Sequence, residues 1–436
     1  MRKILIINNK ECIISKSNSD SLYNGIVKKG EYYMHNTAEI TSGLHWVGGN
    51  ERRLQRFENL FPLRFGIAYN SYLIIDEKTC LLDTVDSSIS QLFVDNIEHV
   101  LNGRNLDYLI VNHMEPDHCG NIENIIHRYP EVKFIGNVKT FQFFEQFYTF
   151  DASKNYMVVK DGDELDLGLR KLRFYTAPMV HWPEVMMTLD FTNHILFSAD
   201  AYGTFGAHNG TYFADEMDYL RDHLDEARRY YANIVGKFGV PVQGIMKKLS
   251  NEVIEMICPL HGPMYRNEEL ALILDKYEKW SKYIPETQSA LIIYGTMYNN
   301  TEGVADSLAT RLGYYGVRDM RVYDVSEFDP SYLVSEAWKY SHIVIATPTY
   351  NTNVFYKIYN LLHEFASLNL QNRKFSIIVN ATWGGQTVET IQSMLEKMKN
   401  IEIIGEPLLI KSTLREQNNE ALDNLAKAIS SSILNQ

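Results

Sequence analysis

Four potential metal ligands lie within six consecutive positions of this chain: His113, Glu115, Asp117 and His118. They follow an apolar run at 108–111 that predicts a buried strand, and an amphipathic segment with helical spacing comes after them. A loop needs Gly, Pro, Asn or Ser for its turns, so two imidazoles and two carboxylates at this density are not typical of a solvated surface. The loop therefore predicts a metal site, and one that holds two ions.

Three further candidate ligands, His181, Asp200 and His261, each stand beside the end of a predicted strand. Each has an ordinary explanation when taken alone. His181 could be a structural histidine stacked on Trp182, Asp200 a turn or helix-capping aspartate, and His261 a loop histidine before a Gly-Pro turn. Their occurrence in one ordered series with the loop favours a shared metal site.

The elements that position these residues form an α+β layered arrangement. Strands are predicted at 44–48, 71–76 and 80–84, with a hairpin turn at 76–78, and a helix is predicted at 89–101. Strand-like stretches recur at 132–136, 155–159, 164–167 and 171–176. Residues 1–39 are polar without a clear period, and we expect an N-terminal extension of unclear structure there.

After Pro285 the pattern changes to a regular alternation of strands and helices. Five apolar runs, each followed by a helix-sized segment, predict a doubly wound parallel sheet: 290–294, 320–324, 342–346, 375–379 and 401–404. The loop 295–301 precedes a predicted helix, and its hydroxyls and backbone N–H groups suit a phosphate monoester. Neither a Walker lysine nor G-x-G-x-x-G is present, which disfavours a nucleoside triphosphate or a dinucleotide.

Composition limits the remaining possibilities. The chain has 436 residues, 45% of them hydrophobic and 22% charged, as expected of a globular protein with two or three domains. A formal net charge of −12 argues against a nucleic-acid or anionic-membrane partner. The four cysteines are far apart and predict neither a disulfide framework nor an iron–sulfur centre. No signal peptide or membrane span is predicted, so we expect a cytoplasmic protein.

The ordered series H-x-E-x-D-H, His181, Asp200 and His261 resembles the metal framework of the metallo-β-lactamase fold. Its H-x-E variant is similar to the flavodiiron proteins, whereas the hydrolases of that fold carry H-x-H-x-D-H. A carboxylate at Glu115 adds a negative charge and a harder donor, which shifts preference from zinc toward iron. The resemblance implies one iron on His113, Glu115 and His181. It implies a second on three further residues, with a bridging carboxylate: Asp117, His118 and His261, bridged by Asp200.

The second half resembles flavodoxin, whose phosphate loop has T-x-T-x-x-T spacing. The resemblance implies that this loop holds the FMN phosphate and that two later loops hold the isoalloxazine ring. Thr382 departs from the flavodiiron pattern, in which a glycine is usual. The residues implied are Thr296, Met297, Tyr298, Asn299, Asn300 and Thr301 for the phosphate, and Pro348, Thr349, Tyr350, Asn351, Thr352, Asn353, Ala381, Thr382, Trp383, Gly384 and Gly385 for the ring.

The expected architecture is therefore a metallo-β-lactamase-like αββα sandwich at 40–285 followed by a flavodoxin-like doubly wound sheet at 286–436. By resemblance the protein is an oxidoreductase that reduces dioxygen to water, nitric oxide to nitrous oxide, or both. Electrons would reach a non-haem diiron pair through FMN from an external donor such as rubredoxin or a flavin reductase. The resemblance also implies a head-to-tail homodimer or a dimer of such dimers.

One segment differs from the family. Many members carry a His-Gly-Tyr type segment before the motif G-x-x-Y-N, which stands here at 66–70, but this chain has Phe57-Glu58-Asn59-Leu60-Phe61-Pro62 in its place. We hypothesise that Glu58 reaches the metal site with a raised pKa and relays protons as a catalytic residue. The alternative is that Glu58 is an ordinary surface carboxylate.

Two other functions remain open from the sequence. The first is a metal-dependent hydrolase with a flavodoxin-like regulatory domain, which Glu115 disfavours because hydrolases need an open zinc site with a bound hydroxide. The second is a flavin electron carrier with a vestigial metal site, which the complete ligand set disfavours. Metal analysis and a visible spectrum would separate the three.

Overall fold

The computed structural model describes residues 35–435, so most of the expected extension at 1–39 lies outside the described residues. The first half begins with eleven short strands. They are β1 (Ala38–Thr41), β2 (Leu44–Trp46), β3 (Gly49–Glu51), β4 (Arg56–Phe57), β5 (Phe61–Pro62), β6 (Ile67–Tyr69), β7 (Tyr72–Ile75), β8 (Thr79–Leu82), β9 (Tyr108–Ile110), β10 (Lys133–Gly136) and β11 (Tyr156–Val158). Seven of them form one sheet in the order β1-β2-β7-β8-β9-β10-β11, while β3 pairs with β6 and β4 with β5.

A second sheet faces the first and has the order β12 to β17. Its strands are β12 (Glu164–Asp166), β13 (Lys171–Thr176), β14 (Met186–Asp190), β15 (Ile195–Phe197), β16 (Met256–Cys258) and β17 (Tyr265–Arg266). The helices of this half are α1 (Ser90–Leu101), α2 (Pro116–Cys119), α3 (Ile122–Arg128), α4 (Val138–Phe147), α5 (Tyr219–Asp222), α6 (Leu224–Tyr230), α7 (Gly239–Leu249) and α8 (Asn267–Ser281).

Alternating side chains of the strands build two cores on opposite faces of the sheets. In β8, Cys80 and Leu82 point between the two sheets, where they join Trp46 and Phe174. Leu81 points the other way, into the layer that α1 covers with Phe93 and related residues. Two sheets packed face to face with helices outside them form the αββα sandwich that the sequence predicts.

The second half is a parallel sheet with helices on both faces. Its strands are β18 (Thr287–Tyr294), β19 (Arg321–Asp324), β20 (Tyr340–Tyr350), β21 (Asn353–Val354), β22 (Arg373–Asn380), β23 (Ile401–Ile403) and β24 (Leu408–Ile410). Its helices are α9 (Asn300–Tyr314), α10 (Pro330–Lys339), α11 (Tyr356–Ser367), α12 (Thr387–Leu395) and α13 (Asn419–Leu434). The order β19-β18-β20-β22-β23 confirms the predicted doubly wound topology.

Two local predictions need correction. The expected fifth strand at 401–404 is present as β23, but the sequence analysis missed a second segment, β24, so that the fifth strand is split: β23 pairs with the beginning of β22 and β24 with its end. The metal loop is not irregular throughout, since Pro116 opens the one-turn helix α2, which carries Asp117 and His118. The helical turn directs both side chains toward the same buried point.

Three of the four cysteines lie within the described residues. Cys80, Cys119 and Cys258 are buried free thiols, and Cys12 lies outside the described residues. Within 35–435, no helix combines the length and the apolar character that crossing a bilayer requires.

Candidate metal centre and cofactor loops

Strand ends bring the candidate ligands together. His113, Asp200 and His261 each stand three residues after the last residue of a strand, β9, β15 and β16 respectively. β15 and β16 are parallel neighbours with Phe197 opposite Cys258, so Asp200 and His261 leave the second sheet side by side. β9 leaves the first sheet at the same edge of the sandwich. Pairing of the strands thus brings together candidate ligands that are far apart in the sequence.

The loop after β9 is fixed by a buried carboxylate. Asp83 accepts hydrogen bonds from the backbone N–H of Asn112 (2.7 Å), from its side-chain amide (2.8 Å) and from the backbone N–H of His113 (3.1 Å). Burial raises the pKa of Asp83 to about 6, although these donors and His118 oppose that shift. Asp83 therefore holds the backbone of this loop without the help of the candidate ligand side chains.

Subsite A consists of His113, Glu115 and His181. The Nε2 atoms of His113 and His181 each lie 3.1 Å from Oε2 of Glu115. Oδ2 of Asp200 lies 3.2 Å from Nε2 of His181 and 3.6 Å from Nε2 of His113. Two imidazole nitrogens and two carboxylate oxygens thus converge on one point, with ligand atoms all within 4.8 Å of one another.

Subsite B consists of Asp117, His118 and His261. Oδ2 of Asp117 lies 3.3 Å from Nε2 of His118 and 3.2 Å from Nε2 of His261. The second oxygen of Asp200, Oδ1, lies 3.0 Å from Nε2 of His118 and 3.7 Å from Nε2 of His261. Asp200 therefore presents one oxygen to each subsite, which is the geometry that a bridging carboxylate needs.

The donor set fits a pair of cations. Both oxygens of Asp117 and Oδ1 of Asp200 are buried without a hydrogen-bond donor among the described residues. The Nε2 atoms of His118 and His261 face each other at 3.0 Å. Burial disfavours a charged imidazole, but the neighbouring carboxylates outweigh it and raise the pKa values of His118 and His181 to about 9. Buried acceptors and carboxylates at this density require positive charge, which a pair of metal cations would supply.

A short hairpin, β4–β5, covers one side of the cluster. The ring of Phe57 is buried and lies 5.2 Å from the ring of His261. Glu58 and Asn59 form the turn, both with left-handed backbone angles (φ 51° and 54°). Glu58 is exposed as a residue, but desolvation of its carboxyl group, and next the charge of Glu115, raise its pKa to about 8. His181 opposes this shift, and Asp117 and Asp200 add to it. The structure thus brings Glu58 within electrostatic range of both subsites.

Tyr230 is a candidate that the sequence reasoning did not identify. Its ring lies 5.6 Å from that of His261, and its buried hydroxyl has no hydrogen-bond partner among the described residues. Burial, followed by the charges of Asp200, Asp117 and Glu115, raises the pKa of Tyr230 well above its usual value, so the phenol keeps its proton. Tyr230 ends α6, and a π-helical turn at Tyr231–Val235 follows directly. Such turns are frequent at functional sites but have no clear sequence signature.

The predicted phosphate loop lies between β18 and α9. Asn299 precedes the helix in the left-handed conformation (φ 64°), and Thr301 is buried in the first turn. The hydroxyl oxygen of Thr296 is buried without a hydrogen-bond partner among the described residues. A buried, unpartnered hydroxyl beside free N–H groups at a helix N-terminus fits a phosphate.

The other two predicted loops leave β20 and β22 at the same edge of the sheet. Gly385 lies where a Cβ atom would come 2.7 Å from the Thr349 side chain, so the two loops meet there. Thr382 hydrogen-bonds the hydroxyl of Ser412 at 3.0 Å. Ser412 follows β24, and the split of the fifth strand hid this fourth loop from the sequence analysis. Several aromatic and apolar side chains are exposed on the phosphate loop and on the loops after β20 and β22: Met297, Tyr298, Tyr350 and Trp383.

Both halves of the chain are similar to known proteins. Residues 67–262 match the ODP family of beta lactamases, and residues 292–422 match flavodoxin. The anaerobic nitric oxide reductase flavorubredoxin of Pectobacterium atrosepticum is 30% identical over 369 residues, covering 82% of this chain and 70% of that protein. Its namesake from Vibrio vulnificus is 31% identical over 369 residues, with 82% and 73% covered. The solved structure of rubredoxin oxygen:oxidoreductase from Desulfovibrio gigas superposes with a TM-score of 0.85 at 26% identity, with 91% and 98% covered.

Proposed function

Because this chain belongs to the flavodiiron protein family and is an oxidoreductase, we propose that it reduces dioxygen to water, nitric oxide to nitrous oxide, or both. The reaction would take place at a pair of non-haem irons that receive electrons through FMN. The observation that carries the proposal is the position of Asp200, whose two carboxylate oxygens face different subsites. A single-ion hydrolase site does not need this arrangement.

The metal pair would be held by seven side chains. Subsite A would bind one iron and subsite B the other, with Asp200 shared between them. Glu115 takes the place where the hydrolases of this fold have a histidine. With Asp117 and Asp200 it brings three carboxylates into the centre, and such hard oxygen donors favour iron over zinc. The His118 side chain points its Nε2 toward subsite B, which supports its place among the ligands.

FMN would be held by the loops at the carboxyl ends of β18, β20 and β22. The buried Thr296 hydroxyl and the N-terminus of α9 would bind the phosphate. Tyr350 and Trp383 are exposed beside the ring-binding loops and could pack against the isoalloxazine. Thr382 is engaged by Ser412, so the backbone at this non-glycine position is held by a side-chain contact within the chain.

When bound, two ferrous ions and one reduced FMN supply four electrons, enough to take dioxygen to water or to couple two nitric oxide molecules. The chain's own residues must then deliver protons and exclude bulk water. Phe57 and Phe205 pack edge to face at 5.7 Å over His261 and keep one side of the cluster apolar. Glu58 directly follows Phe57 in the chain, and the ring of Tyr230 packs against Phe205. The pKa values of both groups are raised, and we assign Glu58 the relay role.

The partners are also proposals. Rubredoxin or a flavin reductase would supply electrons, and a head-to-tail homodimer, or a dimer of such dimers, would place one chain's flavin near the other chain's irons. The exposed Met297, Tyr298 and Trp383 beside the cofactor loops support a surface that meets another protein. We further propose a boundary between the two domains at residues 285 and 286, and a cytoplasmic location.

The test is a metal analysis, a visible spectrum and steady-state turnover of the purified chain with each gas. We expect about two irons and one FMN per chain, with a flavin band that bleaches under a donor and recovers with dioxygen or nitric oxide. Zinc without turnover of either gas would overturn the proposal in favour of a hydrolase. Flavin without metal would instead indicate an electron carrier.

A further inference from the structure

His113 uses both of its ring nitrogens. Nε2 faces subsite A, 3.1 Å from Glu115, while Nδ1 points away from the cluster and lies 2.7 Å from Oε1 of Glu184. Glu184 is fully buried, and a buried carboxylate accepts a hydrogen bond from an imidazole N–H. The Nδ1–H tautomer therefore follows from this contact, and it leaves the Nε2 lone pair directed into the metal centre.

Glu184 is itself held in place. The same oxygen, Oε1, accepts a hydrogen bond from the backbone N–H of Met114 at 2.9 Å. The backbone carbonyl of Glu184 accepts from Asn137 at 2.5 Å, and Asn137 caps α4 through the N–H groups of Lys139 and Thr140. Because hydrogen bonds hold both its carboxylate and its backbone carbonyl, Glu184 can fix the ring orientation of His113.

Among residues 35–435, neither histidine of subsite B has a charged hydrogen-bond partner at its Nδ1 atom. Nδ1 of His261 lies 2.9 Å from the backbone carbonyl of Ala68, which is neutral. Nδ1 of His118 is buried and has no hydrogen-bond partner among the described residues. The other oxygen of Glu184, Oε2, also lacks a partner among the described residues, so the charge of this carboxylate is compensated mainly through His113. The two subsites are therefore unequal in the groups behind their ligands.

We propose that Glu184 is a positioning residue of the metal pair, which orients His113 and strengthens the binding of the ion in subsite A. The inference rests on the proposed metal pair. A carboxylate behind a metal-bound imidazole fixes its tautomer and increases its basicity, and loss of such a partner costs about 10–100-fold in metal affinity. Glu184 and His181 lie on one segment, 177–185, so this segment supplies a ligand of subsite A and the support of a second ligand.

The test is Co²⁺ binding to metal-depleted full-length protein, followed by visible absorption in competition with a chelator. Glu184→Gln keeps an oxygen that accepts the hydrogen bond but removes the charge. It is combined with His261→Ala, which disables subsite B, and separately with His181→Ala, which disables subsite A. We expect Glu184→Gln to weaken Co²⁺ binding about 10–100-fold in the His261→Ala background and to leave it unchanged in the His181→Ala background.

Glu252→Gln is the matched control, because Glu252 is a half-buried carboxylate that bonds Tyr175 and Arg173, residues outside both subsites. If Glu184→Gln does not fold, judged by circular dichroism, Glu184→Asp replaces it, since its shorter side chain withdraws the carboxylate and should weaken the same subsite. Equal affinities with and without the Glu184 change in the His261→Ala background would overturn the inference. A wild-type protein that binds no Co²⁺ would overturn the metal pair itself.

Discussion

Three carboxylates and four imidazoles share the buried end of the sandwich, and their charges explain the chemistry of the centre. Burial alone would raise the pKa of Glu115, but hydrogen bonds and charges of His113 and His181 dominate and lower it far below its usual range. The same contacts raise the pKa of His113 well above its ordinary value, although burial opposes this. Protons would compete with metal cations for these candidate ligands, so we expect metal loading to depend on pH.

Asp200→Ala should reduce iron content and reductase activity together. The substitution removes the only carboxylate that presents an oxygen to each of the two described subsites. We expect a loss of metal affinity larger than the roughly 10–100-fold that follows loss of an outer partner. Elemental analysis and turnover measured on the same preparation check this. Full iron loading with full activity would remove Asp200 from the site.

Glu58→Gln should lower turnover with dioxygen more than turnover with nitric oxide. Reduction of dioxygen to water consumes four protons, whereas coupling of two nitric oxide molecules consumes two. The pKa of Glu58 is raised to about 8 by the surrounding protein groups, so its carboxyl group is suited to hold and release a proton near neutral pH. Steady-state rates with each gas under one donor are the measurement. Unchanged rates with both gases would leave Glu58 a surface carboxylate.

Tyr230→Phe should lower turnover without lowering the stability of the protein. The variant removes a buried hydroxyl that has no partner among the described residues, so the free energy of unfolding should stay equal or rise slightly. If the phenol donates a hydrogen bond or a proton at the metal centre, turnover should fall by about 100-fold or more. Thermal unfolding and turnover are measured on the same protein. A variant as active as the wild type would limit Tyr230 to packing.

Among the larger elements, the strand ends explain most of the site. β9, β15 and β16 are each followed, three residues after their last residue, by a candidate ligand, and Asp83 directly after β8 holds the loop. The flavodoxin-like half repeats the principle at the ends of β18, β20 and β22. Its central strand β20 is buried along most of its length. His342, the third residue of this strand, is buried as well.

His342, at the start of β20, should make the protein less stable in mild acid. Burial, and next the charge of Lys374, lower its pKa to about 4, whereas the unfolded chain keeps the ordinary value of 6.5. The unfolded state then binds more protons between these values, so stability falls as pH falls from 6.5 toward 4. We expect a loss of about 2 kcal/mol near pH 4.5, after allowance for solvent screening.

The measurement is urea unfolding of the full chain at pH 7 and pH 4.5. His342→Gln should lose less stability between the two pH values than the wild type, by the amount given above. His363→Gln is the matched control, because His363 is an exposed histidine of α11 in the same domain. Equal pH dependence in all three proteins would contradict the assignment.

At the scale of the whole molecule, the two halves share an interface. Arg229 of α6 hydrogen-bonds Ser331 of α10 at 3.1 Å and stacks on Tyr332, with 4.0 Å from the guanidinium carbon to the ring centroid. The buried Arg373 of β22 donates to the carbonyl of Tyr283 at 2.7 Å. One hydrophobic core runs through both halves and includes Trp338. Each half has its own fold, but part of the surface of each half is buried against the other.

Residues 286–436 alone should fold and bind FMN, because their strands form a complete sheet with helices on both faces. The fragment loses the Tyr283 carbonyl and exposes Trp338, so we expect lower stability and poorer solubility than in the full chain. FMN binding is followed by quenching of flavin fluorescence. A properly folded fragment without affinity for FMN would contradict the flavodoxin-like assignment of the cofactor loops.

Local sequence was sufficient for the chemistry that depends on residue type and strand period. The βα alternation, the candidate ligands at 113–118 and the proposed phosphate loop at 295–301 all follow from patterns that a single segment contains. Strand-to-loop transitions then predicted where His181, Asp200 and His261 would emerge. Each of these inferences needs only the position of a residue relative to its own strand.

Tertiary structure decided the features that depend on pairing between distant segments. Three features arise from packing between segments that are distant in the sequence: which oxygen of Asp200 faces which subsite, the support of His113 by Glu184, and the approach of Tyr230 to His261. The split of the fifth strand likewise depends on pairing with β22, whose beginning pairs with β23 and whose end pairs with β24. Side-chain direction is set by these neighbours, and a linear pattern of residue types does not contain them.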